Sequence, residues 1–143
     1  MTALIAAAKA KKKHWELDEQ KKVVALLSDL KMKGVVAEFS AVASETFTTS
    51  HNQKRLNRLK GVRKGVPDLI IVFANGNILF LEMKRARLKG AAKGALSAEQ
   101  KGWITALKMS ELVTGGRVSV SVAHGFEEAV NVIHEASKKG DGN

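Results

Sequence analysis

The sequence contains no cysteine, which excludes disulfides, thiolate metal sites and a cysteine nucleophile. No apolar run approaches the roughly 18 residues that a membrane span needs. The first nine residues hold a short apolar stretch with no basic segment before it, so they read as a ragged terminus or the start of a helix, not as a signal peptide. Proline occurs once, at Pro67; it restricts Val66 to extended backbone and helps fix where the following strand starts. Acidic residues are also scarce, 14 Asp+Glu against 24 Lys+Arg, for a net charge of +10. Such a balance points to a polyanionic partner, most often nucleic acid.

The remaining composition is ordinary. Apolar residues make up 45% and charged residues 27% of the 143 positions, which argues against disorder and suits a single domain with a real core. The excess charge is clustered. Residues 46–67 contain no acid but carry Lys54, Arg55, Arg58, Lys60, Arg63 and Lys64, and a second group follows at Lys84, Arg85, Arg87, Lys89 and Lys93. Each cluster could be a solvated loop, but two of them flanking one apolar hairpin read as phosphate-binding surfaces.

Trp15, Val23, Leu26, Leu27 and Leu30 recur at helical spacing, predicting a helix over 14–32 closed near Gly34. Residues 35–42 read as a strand and 53–60 as a short basic helix. The apolar run 68–73 reads as a strand buried on both faces. Asn75-Gly76-Asn77 is a turn signal, and 78–84 is the return strand. Residues 85–96, rich in Gly, Ala and Lys, read as a mobile loop. Ser97 and Gln100 form a capping box that opens a helix running to about 113. Val118, Val120 and Val122 alternate with serines, as in a half-buried strand, and 126–136 is a last amphipathic helix. The order is α-β-(short α)-β-β-α-β-α, an α/β domain with a mixed sheet flanked by helices. The core domain spans 14–136, between a basic arm, 1–13, and a polar tail, 137–143.

The anomaly lies at the ends of the central hairpin. Glu82 and Lys84 project from one face of their strand while Met83 points to the other, and charges at the edge of a buried sheet are costly unless paired or liganded. Asp68 begins the partner strand. A two-residue turn would set Asp68 against Met83, on the wrong face. A three-residue loop over 75–77, or a bulge, would set it against Lys84 and bring Asp68, Glu82 and Lys84 onto one face. Two adjacent carboxylates can bind a hard divalent ion that activates a water for attack on a phosphodiester, with the lysine stabilising charge at phosphorus. A plain strand-end salt bridge uses the same residues, and spacing alone does not separate the two.

Pro67-Asp68 followed by Glu82-Met83-Lys84 resembles the signature of the PD-(D/E)xK nuclease superfamily. Together with the blocks 61–69 (Gly-Val-Arg-Lys-Gly-Val-Pro-Asp-Leu), 96–100 (Leu-Ser-Ala-Glu-Gln) and 125–129 (Gly-Phe-Glu-Glu-Ala), the chain resembles the VRR-NUC (virus-type replication-repair nuclease) domain over about residues 14–135, in its stand-alone, phage-like form. The resemblance implies a restriction-endonuclease-like core and a Mg²⁺- or Mn²⁺-dependent endodeoxyribonuclease acting on Holliday (four-way) junctions as a homodimer. It also implies a place in the cytoplasm, that of the bacterial host if the chain is phage-encoded.

By the same resemblance Asp68, Glu82 and the Met83 backbone carbonyl hold the metal and Lys84 is the catalytic lysine. Glu16 is the first-helix acid and a ligand for a second metal, with Glu19 as the alternative. Gln100 is the glutamine beside the active site, or only the capping-box partner. Lys54, Arg55, Arg58, Lys60, Arg63, Lys64, Arg85, Arg87 and Lys89 contact DNA. The alternatives are a flap, end or sequence-specific nuclease on the same scaffold, and a non-catalytic DNA-binding protein. His14, His51, His124 and His134 show no metal-ligand spacing. Trp15 and Trp103 fall at helical positions that read as core, with base stacking the other use.

Overall fold

A computed structural model describes the backbone of residues 2–42, 50–86 and 95–138, with side chains from residue 17 onward. The elements are α1 (Thr2–Met32), β1 (Val36–Ala41), α2 (His51–Leu59), β2 (Leu69–Phe73), β3 (Ile78–Lys84), α3 (Ala98–Val113), β4 (Val118–His124) and α4 (Phe126–Lys138). This is the order expected from the sequence. α1 begins well before residue 14, because the Ala- and Lys-rich arm carries neither Gly nor Pro to stop a helix. Arg87, Lys89 and Lys93, with most of the loop read as mobile, lie outside the described residues.

The four strands lie in the order β1-β2-β3-β4. β1 pairs antiparallel with β2 and β2 antiparallel with β3, while β3 runs parallel to β4, with α3 as the crossover. The sheet is therefore mixed and has helices on both faces, consistent with a restriction-endonuclease-like core. Strand alternation divides the side chains cleanly. Leu69, Ile71, Phe73, Leu79, Leu81 and Met83 face α1 and α4, where Val23, Leu27, Ala129 and Ile133 complete the core. The even-numbered residues of β2 and β3 face α3. Ser119 is buried, at 4% exposure; the Val/Ser alternation suggested a wet serine face, but β4 is covered on both sides, by α3 and α4.

The hairpin turn differs by one step from the expected loop. Its three residues are 74–76, closed by the Phe73 N–H donating to the Asn77 carbonyl at 2.8 Å. Gly76 takes φ +91° at the position that demands it. Asn75 and Asn77 have a second task that the turn signal did not disclose. Their side-chain amides donate to the carbonyls of Ser137 and Ala136, both at 2.9 Å. These carbonyls belong to the last turn of α4 and lack intrahelical donors, so the turn caps the helix that packs beneath it. Replacing Asn77 by Ala should lower unfolding stability by about 1–3 kcal/mol, read as a reduced urea midpoint with an unchanged circular dichroism spectrum.

Candidate active site

The β2–β3 register determines which charges meet. Leu69 pairs with Leu81, Ile70 with Phe80, Ile71 with Leu79 and Val72 with Ile78, a constant index sum of 150. Carried one residue further, position 68 stands opposite position 82, not opposite 84 as a loop over 75–77 would have placed it. The sum is still even, so Asp68, Glu82 and Lys84 share the face turned toward α3. Opposed residues on one face have Cβ atoms about 5 Å apart.

Each member is held by more than its own strand. The Asp68 carbonyl accepts from the Val42 N–H at 2.9 Å, and its carboxylate Oδ2 accepts from the Met83 N–H at 2.8 Å. Asp68 is thus tied to β1 through its backbone and to β3 through its side chain. The Lys84 carbonyl accepts from the Gly125 N–H at 3.0 Å, fixing the other edge. The register also explains the proline. Position 67 lies opposite Met83, and a proline brings no N–H to that rung of the ladder. N–H and C=O of one strand residue point the same way, so the Met83 carbonyl faces the side where its N–H meets Asp68.

Glu82 is 3% exposed and lies beneath the first turn of α3. There Gln100 serves two purposes at once. Its backbone N–H donates to Ser97 Oγ at 3.1 Å and its Oε1 accepts from the Ser97 N–H at 2.9 Å, completing the capping box. The same Oε1 accepts from Lys84 Nζ at 3.2 Å. With both lone pairs of Oε1 used, the amide nitrogen must turn away, and it donates to Glu82 Oε1 at 2.8 Å. Lys84 Nζ is 3.8 Å from that same carboxylate oxygen. The helix cap and the carboxylate–lysine pair are one network.

Beside it opens a cleft of about 460 Å³ lined by Gln20, Lys64, Gly65, Asp68 and Gln100, among others. Gln20 brings α1 to the site, and Glu16 stands four positions earlier on the same helix face by spacing; its side chain lies outside the described residues. Glu19 is turned elsewhere. Its Oε2 accepts from the Phe126 N–H at 2.7 Å, at the start of α4, and its Oε1 is 3.5 Å from Lys22. Gln20, the glutamine that the family resemblance sets shortly after the first-helix acid, lines this cleft.

Lys54, Arg55 and Arg58 lie on α2 and Lys60 at its end, and Arg63 and Lys64 lie on the connection to β2. α2 buries none of its residues, so it presents its cations to solvent. Arg85 follows β3 directly and is half-buried. Trp103 is half-buried and borders an open groove, a correction to its reading as a core position.

The donors gathered here are hard oxygens, from Asp68, Glu82 and the Met83 carbonyl, the set that suits Mg²⁺ or Mn²⁺. Among the described residues no three Asp, Glu, His or Cys form a ligand cluster.

Residues 14–127 match the family model of the VRR-NUC domain. No curated protein and no solved structure matches the chain.

One glycine ties this site to the basic connection. Gly65 has φ +83°, and a Cβ there would sit 2.5 Å from the Glu99 carbonyl carbon and 2.6 Å from the Gln100 nitrogen. Gly65→Ala should therefore push the connection off α3. The expected outcome is a loss of more than about 1 kcal/mol in urea unfolding, together with faster proteolysis near residue 65.

Proposed function

The chain belongs to the VRR-NUC domain family, a nuclease family of the PD-(D/E)xK-like superfamily, and from that premise we propose that it is a Mg²⁺- or Mn²⁺-dependent endodeoxyribonuclease that cuts four-way DNA junctions as a two-fold dimer. What supports this reading is the register that puts Asp68, Glu82 and Lys84 on one sheet face, with Gln100 bonded to both Glu82 and Lys84, beside a cleft lined by Gln20, Lys64, Asp68 and Gln100. Asp68, Glu82 and the Met83 carbonyl would hold the ion, and Glu16, by the family resemblance, would be a ligand for a second one. Such an ion would supply charge neutralisation at the scissile phosphate and a lowered pKa for a bound water.

The residues of the chain do the rest. Gln100 holds Glu82 in one orientation through the capping box, so the carboxylate need not reorganise when substrate arrives. Lys84, half-buried and hydrogen-bonded to Gln100, keeps an ammonium beside the reacting phosphate, where negative charge grows in the transition state. The cations of α2 and of the connection to β2 supply phosphate contacts that do not depend on base sequence, so affinity falls steeply with salt.

Two strands must be cut at a junction, and each chain has one site, which calls for a second copy related by two-fold symmetry. A surface for it is available on α3, where Met109, Leu112 and Val113 are 60%, 77% and 81% exposed. Their spacing of three and four puts them on one helix face.

The test is cleavage of labelled four-way junction, flap and linear duplex, with Mg²⁺ and with EDTA. Junction should be cut preferentially, and only with metal. Glu82→Ala should reduce cutting by at least about a thousandfold, as expected when a metal ligand is lost, while junction binding stays near wild type. Binding without cleavage under any metal would support the architectural alternative, and preferential flap cutting the other nuclease. Sedimentation should give a dimer for the native chain and a monomer for Leu112→Lys.

A further inference from the structure

A second cleft adjoins the first and has no part in the hydrolysis described above. It measures about 570 Å³, lies between α2, the connection to β2 and α3, and has Arg58, Arg63 and Lys64 on its walls around the indole of Trp103. The residues flanking the ring along the helix are Gly102 and Ala106, and a Cβ built at Gly102 would meet nothing within 4 Å. Small neighbours thus leave the groove open beside the ring. One acid, Glu99, also lies on the wall, so three cations face one carboxylate. Lys64 and Glu99 line the cleft beside Asp68 as well, so the two clefts share a wall. The close contact of Gly65 with α3 holds that shared wall in place.

A flat aromatic ring surrounded by cations suits a nucleotide: the base stacks on the indole and its phosphates meet the guanidinium and ammonium groups. Inside a duplex both faces of every base pair are already stacked, and a terminal pair is too wide to enter a groove between helices, so the occupant is an unpaired base. We propose that this groove is a subsite for one unpaired DNA nucleotide, stacked on Trp103 with its phosphate among Arg58, Arg63 and Lys64, beside the strand to be cut. The inference deepens the function proposed above and rests on it only for DNA as the substrate, not for the junction geometry or the metal.

The test uses the full chain in EDTA, which separates binding from cleavage. Trp15→Phe leaves Trp103 as the only indole, since the chain has two tryptophans. The probes are a blunt DNA hairpin and the same hairpin with a short oligothymidine overhang. The overhang should quench Trp103 emission and the blunt form should not. Trp103→Ala should lose on the order of tenfold in affinity for the overhang DNA while binding the blunt hairpin as before, and Trp103→Phe should keep most of the preference. Equal quenching by both probes, or unchanged overhang affinity in Trp103→Ala, overturns the proposal. Should the alanine variant misfold by circular dichroism, the quenching measurement and the phenylalanine variant still decide it. A chain that cuts DNA while Trp103 stays silent defeats this inference alone; a chain that binds neither hairpin defeats the DNA reading with it.

Discussion

The parity of one hairpin register governs the whole site. In an antiparallel pair the opposed residues have a constant index sum, and an even sum puts Asp68 on the same face as Glu82 and Lys84. The observed sum of 150 follows from a three-residue turn. A turn shorter or longer by one residue would flip one strand relative to the other, taking Leu69, Ile71 and Phe73 off the face they share with Leu79, Leu81 and Met83 and Asp68 off the face of Glu82 and Lys84. Asn75, Gly76 and Asn77 are therefore as much a part of the site as the acids. The glycine supplies the positive φ, and the two asparagines anchor the turn to the end of α4.

The fold was readable from the sequence because its signals are local. The helices and strands follow from apolar spacing, and Ser97 with Gln100 announced the start of α3. The site was only partly readable. Glu82 and Lys84 share a face by strand alternation alone, but placing Asp68 required the turn length, which Asn-Gly-Asn does not fix: the loop is 74–76, one step earlier than the tripeptide suggests. Gln20, the engagement of Glu19 at α4 and the groove at Trp103 depend on how α1, α2 and α3 lie against the sheet. Those placements come from long-range packing and leave no short-range pattern. Trp103 has helical core spacing, and only the small residues beside it and the nearby basic connection show that it borders a groove.

Gln100 illustrates how two readings of one residue can both hold. A capping glutamine needs its Oε1 toward the Ser97 N–H, and a glutamine that orients a carboxylate needs its amide nitrogen toward the acid. The side-chain amide offers both ends at once, and meeting the first demand enforces the second. The helix start therefore fixes the direction of the hydrogen bond to Glu82, and the buried acid in turn occupies the positive end of α3, where negative charge is favoured. Local stability and the geometry of the charged cluster come from the same few atoms.

Pro67 completes this logic from the opposite strand. At the rung facing Met83 an ordinary residue would donate its N–H to the Met83 carbonyl and close the ladder. Proline has no N–H to give, and Asp68, next in the chain, takes the Met83 N–H with its side chain instead. The ladder thus ends one rung early, with a carboxylate on one side and a carbonyl without a donor from position 67 on the other. A strand pair that continued for one more ordinary rung would be more regular, but it would consume in backbone pairing the Met83 carbonyl that the proposed cation site draws on. The start of β2 at Leu69 is for that reason a feature of the proposed site as much as of the sheet: the hydrogen that proline lacks leaves the Met83 carbonyl without a ladder donor from position 67.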